Sequence, residues 1–406
     1  MKLNSLFAAS IRDSRGDNTL QITLATAKNK ATDSVPSGKS KGSLEAVTKD
    51  VPAALEIIKS LEEKLLKKEF VDPFEFDEYL LSLDGTGNKN NLGSNTLLAL
   101  SLAFWRLFAL EENLPLYQAI AILSGRENNH LHLPYLMFNL INGGEHVGKA
   151  ITSAHLPFQE YFIIPSTESA VVSLEQCHNV LTKLQDYLTN KYPAIIHGDE
   201  GGFVVPEDDP EKGLEILMDI KENVQERVLL NLGLDMAANS FYNQDKNTYE
   251  LLGNRLTASE LTDYYTQIFH RYELLSAEDP YAENDYSGFR NLNALWGDKL
   301  WLIGDDLTTT NPDRLATAIE EKALNGLILK PNQIGTISET IEVAMMAQKN
   351  GFKTVVSHRS GETNDDFIAD LAVGIGADAF KSGAPIQQER MLKYNRLAEI
   401  EKEINS

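Results

Sequence analysis

The feature that most constrains the fold is a repeated unit in the second half of the chain, in which a short apolar stretch ends in charged residues and a helical segment follows. Successive stretches reach Asp235, Glu278, Asp305, Lys330, His358 and Lys381, at intervals of 43, 27, 25, 28 and 23 residues. Apart from the first, each interval accommodates one strand and one helix. This alternation predicts a parallel sheet covered by helices.

The segments 311–323, 336–351 and 362–377 combine capping residues with helical periodicity, which supports this interpretation. Two further apolar strands, near 136–141 and 158–164, bring the number of strands to the eight of a TIM-like α/β barrel. An open, doubly wound sheet is the competing fold. The barrel is favoured because every strand end carries charge, and barrels place their catalytic residues there.

The first 125 residues are predicted to form a mixed α+β domain. Residues 18–27 alternate apolar and polar, as in a half-buried strand of a small antiparallel sheet. A helix is expected around Val51 to Leu65 and an apolar one over 92–112, capped by Ser94 or Asn95. The polar connector 124–132 then predicts a boundary that separates domain 1–125 from domain 126–406.

The balance of charge narrows the class of function. The chain has 37 Lys and Arg against 59 Asp and Glu, a formal charge of −22, which argues against binding to nucleic acid or to anionic membranes. The single cysteine, Cys177, excludes an intramolecular disulfide and argues against a cysteine-based zinc site. With neither a signal-peptide pattern nor an apolar run of 18 residues, we expect an enzyme of a reducing compartment, placed in the cytoplasm.

Acidic residues end three consecutive predicted strands, at Asp235, Glu278 and Asp305. Neighbouring strand ends of a barrel face one mouth, so these carboxylates would converge. Hard oxygen ligands without nearby histidine or cysteine suit Mg²⁺. The alternative is that each is an ordinary cap or turn residue.

Basic residues end the next three strands, at Lys330, at His358 with Arg359, and at Lys381. Lys330 leaves an apolar strand, and desolvation beside another cation would lower its pKa and make it a general base. The alternative is a lysine that extends outward into solvent. Segment 357–363 is expected to open a helix and to hold a phosphate through Arg359, Ser360 and backbone N–H groups.

Three glycine-rich loops are further candidates. Loop 197–206 carries Asp199 and Glu200, as a source of a general acid or as an acidic turn, while loop 141–148 carries Glu145 and His146, for which the residues alone favour a structural histidine. Loop 35–43 resembles the end of a P-loop, but Asp33 stands where that motif needs glycine. A lid that brings Ser40 to a phosphate or a metal fits better.

Taken together, these motifs resemble those of the enolase family over nearly the whole chain. They are PSGKSKGSLEA (36–46), DGTGNKNNLGSN (84–95), NLINGGEHVG (139–148), FQEYFIIP (158–165), GDEGGFVVP (198–206), GLDMAANSF (233–241), EDPYAEND (278–285), GDDLTTTNP (304–312), LILKPNQIGT (327–336), VVSHRSGET (355–363) and KSGAP (381–385). The resemblance implies a modified eight-fold barrel with an N-terminal α+β capping domain and a mobile lid. It also implies a carbon–oxygen lyase, usually a homodimer, that reversibly dehydrates 2-phosphoglycerate to phosphoenolpyruvate in glycolysis and gluconeogenesis with two Mg²⁺ per site.

The resemblance also implies a role for each matching residue. Asp235, Glu278 and Asp305 would bind the first Mg²⁺, and Ser40 would join the ligands of the second. Lys330 would remove the C2 proton and Lys381 would stabilise the enolate. Glu200 would help to expel the hydroxyl group, with Glu160 and Gln159 nearby. Arg359 and Ser360 would hold the phosphate, with His146 and His358 lining the site.

The sequence departs from the family pattern mainly in its N-terminal part. Lys39 and Lys41 stand in the lid where alanine and threonine are usual, and the Arg-Asp-rich segment expected after Ala46 is missing. We expect both lysines to strengthen attraction to an anionic substrate. Two alternatives remain at this point: another enolase-superfamily lyase or racemase acting on a different carboxylate, and an enolase-like binding protein without turnover.

Overall fold

The N-terminal part of the chain pairs a small antiparallel sheet with a layer of helices. The computed structural model describes residues 1–38, 44–126, 131–148, 154–224 and 228–406. The sheet has the order β1-β2-β3, from β1 (Ser5–Arg12), β2 (Asn18–Ala25) and β3 (Lys30–Ser34). The helices are α1 (Val51–Lys67), α2 (Pro73–Asp84), α3 (Ser94–Glu111) and α4 (Leu116–Leu123).

Local sequence signals explain where these helices begin. The Asp50 side chain accepts the N–H of Ala53 and so caps α1, whose buried face carries Ile58 and Leu61 at the predicted spacing. The predicted cap of α3 is wrong. Gly93 is its N-cap without a side-chain bond, and the Asn95 side chain instead accepts the N–H of Lys49.

Eight strands close the predicted barrel. In spatial order they run β16-β15-β14-β13-β12-β8-β5-β4, and pairing of β16 with β4 completes the cylinder. Their bounds are β4 (Tyr135–Asn142), β5 (Glu160–Pro165), β8 (Leu230–Asp235), β12 (Ser276–Glu278), β13 (Trp301–Gly304), β14 (Gly326–Leu329), β15 (Lys353–Ser357) and β16 (Ala379–Lys381).

One barrel strand corrects the expectation of a parallel sheet. β5 runs antiparallel to both of its neighbours, β4 and β8. The described residues between β4 and β5 form only a 3₁₀ turn and loop, without the crossover helix that parallel neighbours require. As a consequence, the first residue of β5, Glu160, lies beside the last residue of β8, Asp235.

Helices surround the barrel, and short strands lie in the segments that connect its elements. The helices are α5 (Ala170–Lys191), α6 (Glu211–Asn223), α7 (Ala258–Tyr272), α8 (Tyr286–Trp296), α9 (Pro312–Glu320), α10 (Pro331–Ile334), α11 (Ile337–Lys349), α12 (Phe367–Gly374) and α13 (Gln388–Ile404). The short strands are β6 (Ile196–His197), β7 (Phe203–Val204), β9 (Tyr242–Asn243), β10 (Thr248–Leu251) and β11 (Asn254–Leu256). In the described ranges, no helix is both long enough and apolar enough to cross a bilayer.

Among the contacts that join the N-terminal part to the barrel, a buried carboxylate and a pair of backbone bonds matter most for the site. Asp77 of α2 is fully buried, and one of its carboxylate oxygens accepts bonds from Ser101, Trp105 and both the backbone and the side chain of Ser338, at the start of α11. Ser37 exchanges two backbone bonds with Gly361, in the loop after β15. The N-terminal part is therefore anchored to the loop that was predicted to bind phosphate.

Candidate active site

A cavity of about 250 Å³ opens at the barrel mouth, the end of the barrel where the parallel strands finish. Strand direction accounts for its lining: carboxyl ends of parallel strands supply most of it, and the reversed β5 brings in its first residues. Most of the predicted site residues meet there, namely His146, Gln159, Glu160, Glu200, Asp235, Asp305, Lys330, His358, Arg359, Ser360 and Lys381.

Lys381 holds the acidic side of this cavity together. Its ammonium group lies 3.0 Å from Glu160, 3.3 Å from Asp235 and 2.8 Å from Glu278, and the whole side chain is buried. Burial lowers the pKa of Lys381, but the three carboxylates outweigh burial and raise it well above its ordinary value. Lys381 is therefore a permanent cation among carboxylates.

Lys330, which follows β14, forms an ion pair with Asp305, which follows the neighbouring strand β13. Asp305 also accepts a bond of 2.9 Å from Gln333, and Thr310 fixes the backbone N–H of Lys330 at 2.9 Å. The prediction of a lowered pKa is wrong for this arrangement. Burial, Arg359 and Lys381 do lower the pKa of Lys330, but the Asp305 carboxylate outweighs them and raises it.

The three carboxylates predicted to bind metal lie on adjacent strands of the barrel. Asp235 and Glu278 are register partners, while Asp305 directly follows β13, the other neighbour of Glu278. Asp235 and Asp305 line the cavity. Glu278 is buried outside the lining and contacts Lys381, which does line the cavity.

The chemistry of this donor set fits Mg²⁺. All three are hard oxygen ligands, and the structure already stabilises two cations, Lys330 and Lys381, against them. The predicted trio is not among the tightest groups of ligand atoms. Within the described ranges, ligand atoms lie within 4.8 Å of one another in two groups of three: His146, Glu160 and Glu200, and Asp279, Asp305 and Asp306.

A proton-sharing group adjoins Lys381, with Glu160 common to the group and to the carboxylates around that lysine. His146 lies 3.0 Å from Glu160 and 3.6 Å from Glu200, and all three are buried. Burial and the charge of Glu200 raise the pKa of Glu160 to about 7. Burial also raises the pKa of Glu200, but His146 and His358 outweigh it and lower that pKa well below its usual range. At neutral pH this group therefore carries a proton that it can share.

Loop packing explains why His146, which the residues alone left as structural, reaches the cavity. The N–H of Asp199 donates to the carbonyl of His146 at 2.9 Å. A Cβ on Gly198 would lie only 2.4 Å from that carbonyl oxygen, so the approach of the two loops requires glycine. Glu200, for which an acidic turn was the alternative, is buried.

The loop that was expected to hold a phosphate differs from the expectation in its local structure, and its role in binding phosphate stays a prediction. Arg359 contacts Glu45 at 3.1 Å and Asn332 at 3.3 Å, and Arg15 donates to the Ser360 hydroxyl at 3.2 Å. The expectation that 357–363 opens a helix is wrong, because α12 begins only at Phe367. Backbone N–H groups of this loop bond to protein acceptors instead; they belong to Arg359, Gly361, Glu362 and Thr363.

Polar residues around Asp305 and Asp306, to which the sequence pattern assigned no role, hold these two residues in place. Asp279 accepts the backbone N–H groups of Asp305 at 3.0 Å and of Asp306 at 2.8 Å, and it adopts a positive φ of 42°. Asn239 donates to Asp306 at 2.8 Å. The doublets Glu278-Asp279 and Asp305-Asp306 were the available signal, since Asp279 and both residues of the second doublet line the cavity.

The lid prediction falls on residues for which the structure gives no placement. Ser40, Lys39 and Lys41 lie outside the described residues. Gly38, the last described residue before them, would place a Cβ against the Arg359 guanidinium. The described chain before the predicted lid segment therefore ends beside Arg359, and the role of Ser40 stays a prediction.

Comparisons with known proteins give one consistent result. A family model described as the enolase C-terminal TIM barrel domain matches residues 130–406, and one described as the enolase N-terminal domain matches residues 3–120. The chain is 38% identical to "Enolase B" of Dictyostelium discoideum, over 100% of the chain and 95% of that protein. It is 39% identical to "Enolase" of Methanococcus aeolicus (98% and 94% covered) and 38% identical to "Enolase" of Elusimicrobium minutum (99% and 96%).

Proposed function

The chain belongs to the enolase family, and on that premise we propose how its barrel mouth carries out the reaction of the family. It is a lyase, a phosphopyruvate hydratase, that dehydrates 2-phosphoglycerate to phosphoenolpyruvate in glycolysis, and Mg²⁺ dependence follows from the family. The observation that carries the assignment of residues is the facing pair of groups: Lys330 on one wall, and His146 with Glu160 and Glu200 on the other.

Asp235, Glu278 and Asp305 would hold Mg²⁺, with Ser40 among the ligands of a second ion. When bound, Mg²⁺ would supply positive charge beside the substrate carboxylate, which makes the C2 proton acidic enough for an amine to remove. The donor chemistry supports this assignment, whereas the number of two ions comes from the resemblance alone.

Lys330 removes the C2 proton in this proposal. With Asp305 engaged by another cation, the main influence that raises the pKa of Lys330 is gone, and burial, Arg359 and Lys381 are left to lower it. The ion pair with Asp305 therefore stores the lysine in its protonated form until the site is loaded. Lys381, held among the carboxylates, stabilises the negative charge that develops on the substrate.

The opposite wall expels the hydroxyl group from C3. Glu200 is ionised in the substrate-free site, so it first takes up a proton from Glu160, whose pKa lies at about 7, through His146, and then delivers that proton to the departing oxygen. Arg359 and Ser360 hold the phosphate, and His358 and Gln159 line the substrate-binding space. The alternatives of another carboxylate substrate or of a binding protein without turnover have no observation in their favour.

Three broader statements complete the proposal. The division into domains 1–125 and 126–406, a homodimeric assembly and a cytoplasmic location are inferred from the sequence pattern and from family membership. Light scattering of the purified protein tests the dimer, for which we expect about twice the chain mass of 45.2 kDa.

The direct test of activity is the absorbance of phosphoenolpyruvate formed from 2-phosphoglycerate, with Mg²⁺ and with EDTA. We expect turnover only with the metal. Turnover that EDTA leaves unchanged would overturn the mechanism, and the absence of any turnover with Mg²⁺ would revive the non-catalytic alternative.

A further inference from the structure

Arg390 of α13 is a fully buried cation that stands behind the cavity wall. Each of its five N–H donors has an acceptor. Nη1 donates to the carbonyl of Arg359 at 2.6 Å and to Nδ1 of His358, while Nη2 donates to the carbonyls of Ser360 at 2.9 Å and Asp199 at 3.4 Å. Nε donates to the Gln387 side chain at 3.3 Å.

All five acceptors are uncharged, which is unusual for a buried arginine. Among the residues that the structure describes, no carboxylate oxygen lies within 4.0 Å of the Arg390 guanidinium. The compensating charge is the Glu200 carboxylate, which lies on the far side of His358. Nε2 of His358 is 3.2 Å from that carboxylate. Arg390, His358 and Glu200 thus form a row of cation, imidazole and carboxylate.

The order of this row fixes the protonation of the imidazole. A guanidinium group has no acceptor, so Nδ1 of His358 must present its lone pair to Arg390, and the single ring proton must reside on Nε2, on the side of Glu200. A second proton on Nδ1 would place N–H against N–H. Burial and Arg390 accordingly lower the pKa of His358 to about 4, although Glu200 acts in the opposite direction.

We infer that Arg390 is a positioning residue for the lyase reaction: it locks His358 in the Nε2–H form, so that His358 cannot take up the proton that Glu200 must deliver to the leaving hydroxyl. The same guanidinium also donates to the carbonyls of Arg359 and Ser360. It therefore connects the loop proposed to hold the phosphate with the wall that carries Glu200. This inference rests on the proposed role of Glu200.

The alternative for Arg390 is a purely structural one, in which its bonds to the loop carbonyls shape the phosphate seat and the bond to His358 is incidental. The two roles predict different effects. A structural role predicts weaker substrate binding with the ring proton of His358 unmoved. The positioning role predicts a change at the imidazole together with a loss of kcat.

The test is ¹⁵N nuclear magnetic resonance of the full-length protein labelled at its histidine rings, in which the spectrum of His358→Gln assigns the His358 signals. At pH 7 we expect wild-type His358 to be neutral and protonated on Nε2. Arg390→Gln should give a mixture of ring forms and lower kcat by about ten- to a hundred-fold, with a smaller change in KM. Arg390→Lys restores a cationic donor and should recover part of the Nε2–H form of His358 and part of kcat.

Arg396, on the same helix, provides the matched control. Its guanidinium pairs with Asp370 at 2.9 Å, and Arg396 is absent from the cavity lining. Arg396→Gln should lower the thermal midpoint while leaving the His358 signals and kcat unchanged.

Two results would overturn the inference. One is wild-type His358 protonated on Nδ1 at pH 7, which decides the matter even if Arg390→Gln does not fold. The other is Arg390→Gln with an unchanged ring form and a raised KM only. Wild-type His358 in the Nε2–H form, in a protein that does not turn over 2-phosphoglycerate, would support the lock on His358 and contradict the proposed function instead.

Discussion

Asp77, between the N-terminal part and the barrel, and Glu278, in the barrel mouth, are both buried carboxylates, but their partners differ. Neutral donors surround Asp77: two serine side chains, an indole and a backbone N–H. The partner of Glu278 is the ammonium group of Lys381, at 2.8 Å. The four donors around Asp77 require an acceptor in one fixed position. The Glu278 carboxylate can instead bind any cation of suitable size and position.

The difference separates residues that stabilise the fold from residues that carry chemistry. Four donors on one oxygen cannot lose their acceptor without being left unsatisfied in the core. A carboxylate held by lysine can exchange that lysine for a metal ion, and the freed amine then becomes available for reaction. Asp305 with Lys330 follows the pattern of Glu278, which is why the same pair can hold metal and supply a base.

The largest effect is expected for Lys330→Ala, because it removes the base itself. We expect kcat to fall by roughly a thousand-fold or more, with Mg²⁺ affinity undiminished because the ligand carboxylates remain. Steady-state kinetics and calorimetric titration with Mg²⁺ measure the two quantities. Lys353→Ala, which breaks an ion pair with Asp378 at the opposite end of β15, should leave kcat unchanged. Equal losses of kcat in the two variants would contradict the role of Lys330 as the base.

Lys381→Ala tests whether the barrel mouth needs a cation at all times. The change leaves Glu160, Asp235 and Glu278 buried together without their ammonium partner, which should destabilise the metal-free protein by about 3–5 kcal/mol. Mg²⁺ should restore more stability to this variant than to wild type, because it replaces the missing charge. Thermal unfolding with and without Mg²⁺ makes the comparison, and an identical metal effect in both proteins would argue against cation exchange.

Asp77→Asn tests the other half of the comparison through pH. Burial raises the pKa of Asp77 to about 6, although its hydrogen bonds act in the opposite direction, and the ordinary value is 3.8. The folded protein therefore binds this proton more tightly than the unfolded chain does. The resulting stability is complete below pH 3.8 and is lost as the pH rises to 6, by about 3 kcal/mol in total.

Urea unfolding of wild type and Asp77→Asn from pH 3 to pH 7 measures this effect. The wild-type advantage over the variant should shrink by that amount over the range, because asparagine does not titrate. Parallel stability curves would show that Asp77 is charged throughout.

The smallest effect concerns the lysines of the lid segment. In a chain of net charge −22, Lys39 and Lys41 offer local positive charge to an anionic substrate. The double variant Lys39→Ala/Lys41→Ala should raise KM by several-fold at low ionic strength and weaken its dependence on salt. An unchanged KM with an unchanged salt dependence would refute this role.

The sequence predicted the barrel and the residues of its mouth well, because charged residues after apolar strands report directly on the fold. Three features depend on contacts between distant segments and were beyond its reach. The direction of β5 follows from a missing crossover helix, and the raised pKa of Lys330 follows from the proximity of Asp305. Arg390 lies beyond the last recognisable motif, which ends at residue 385, and only the packing of α13 brings it to His358.

The central claim is that Lys330, beside carboxylates that hold Mg²⁺, takes the proton from C2 while Glu200 acts later on the hydroxyl group. Incorporation of solvent deuterium at C2 of 2-phosphoglycerate, followed by proton nuclear magnetic resonance, separates these steps. With Mg²⁺ we predict exchange in wild type and in Glu200→Gln, and none in Lys330→Ala or in EDTA. Exchange at the wild-type rate in Lys330→Ala, or in wild type without the metal, would contradict the account.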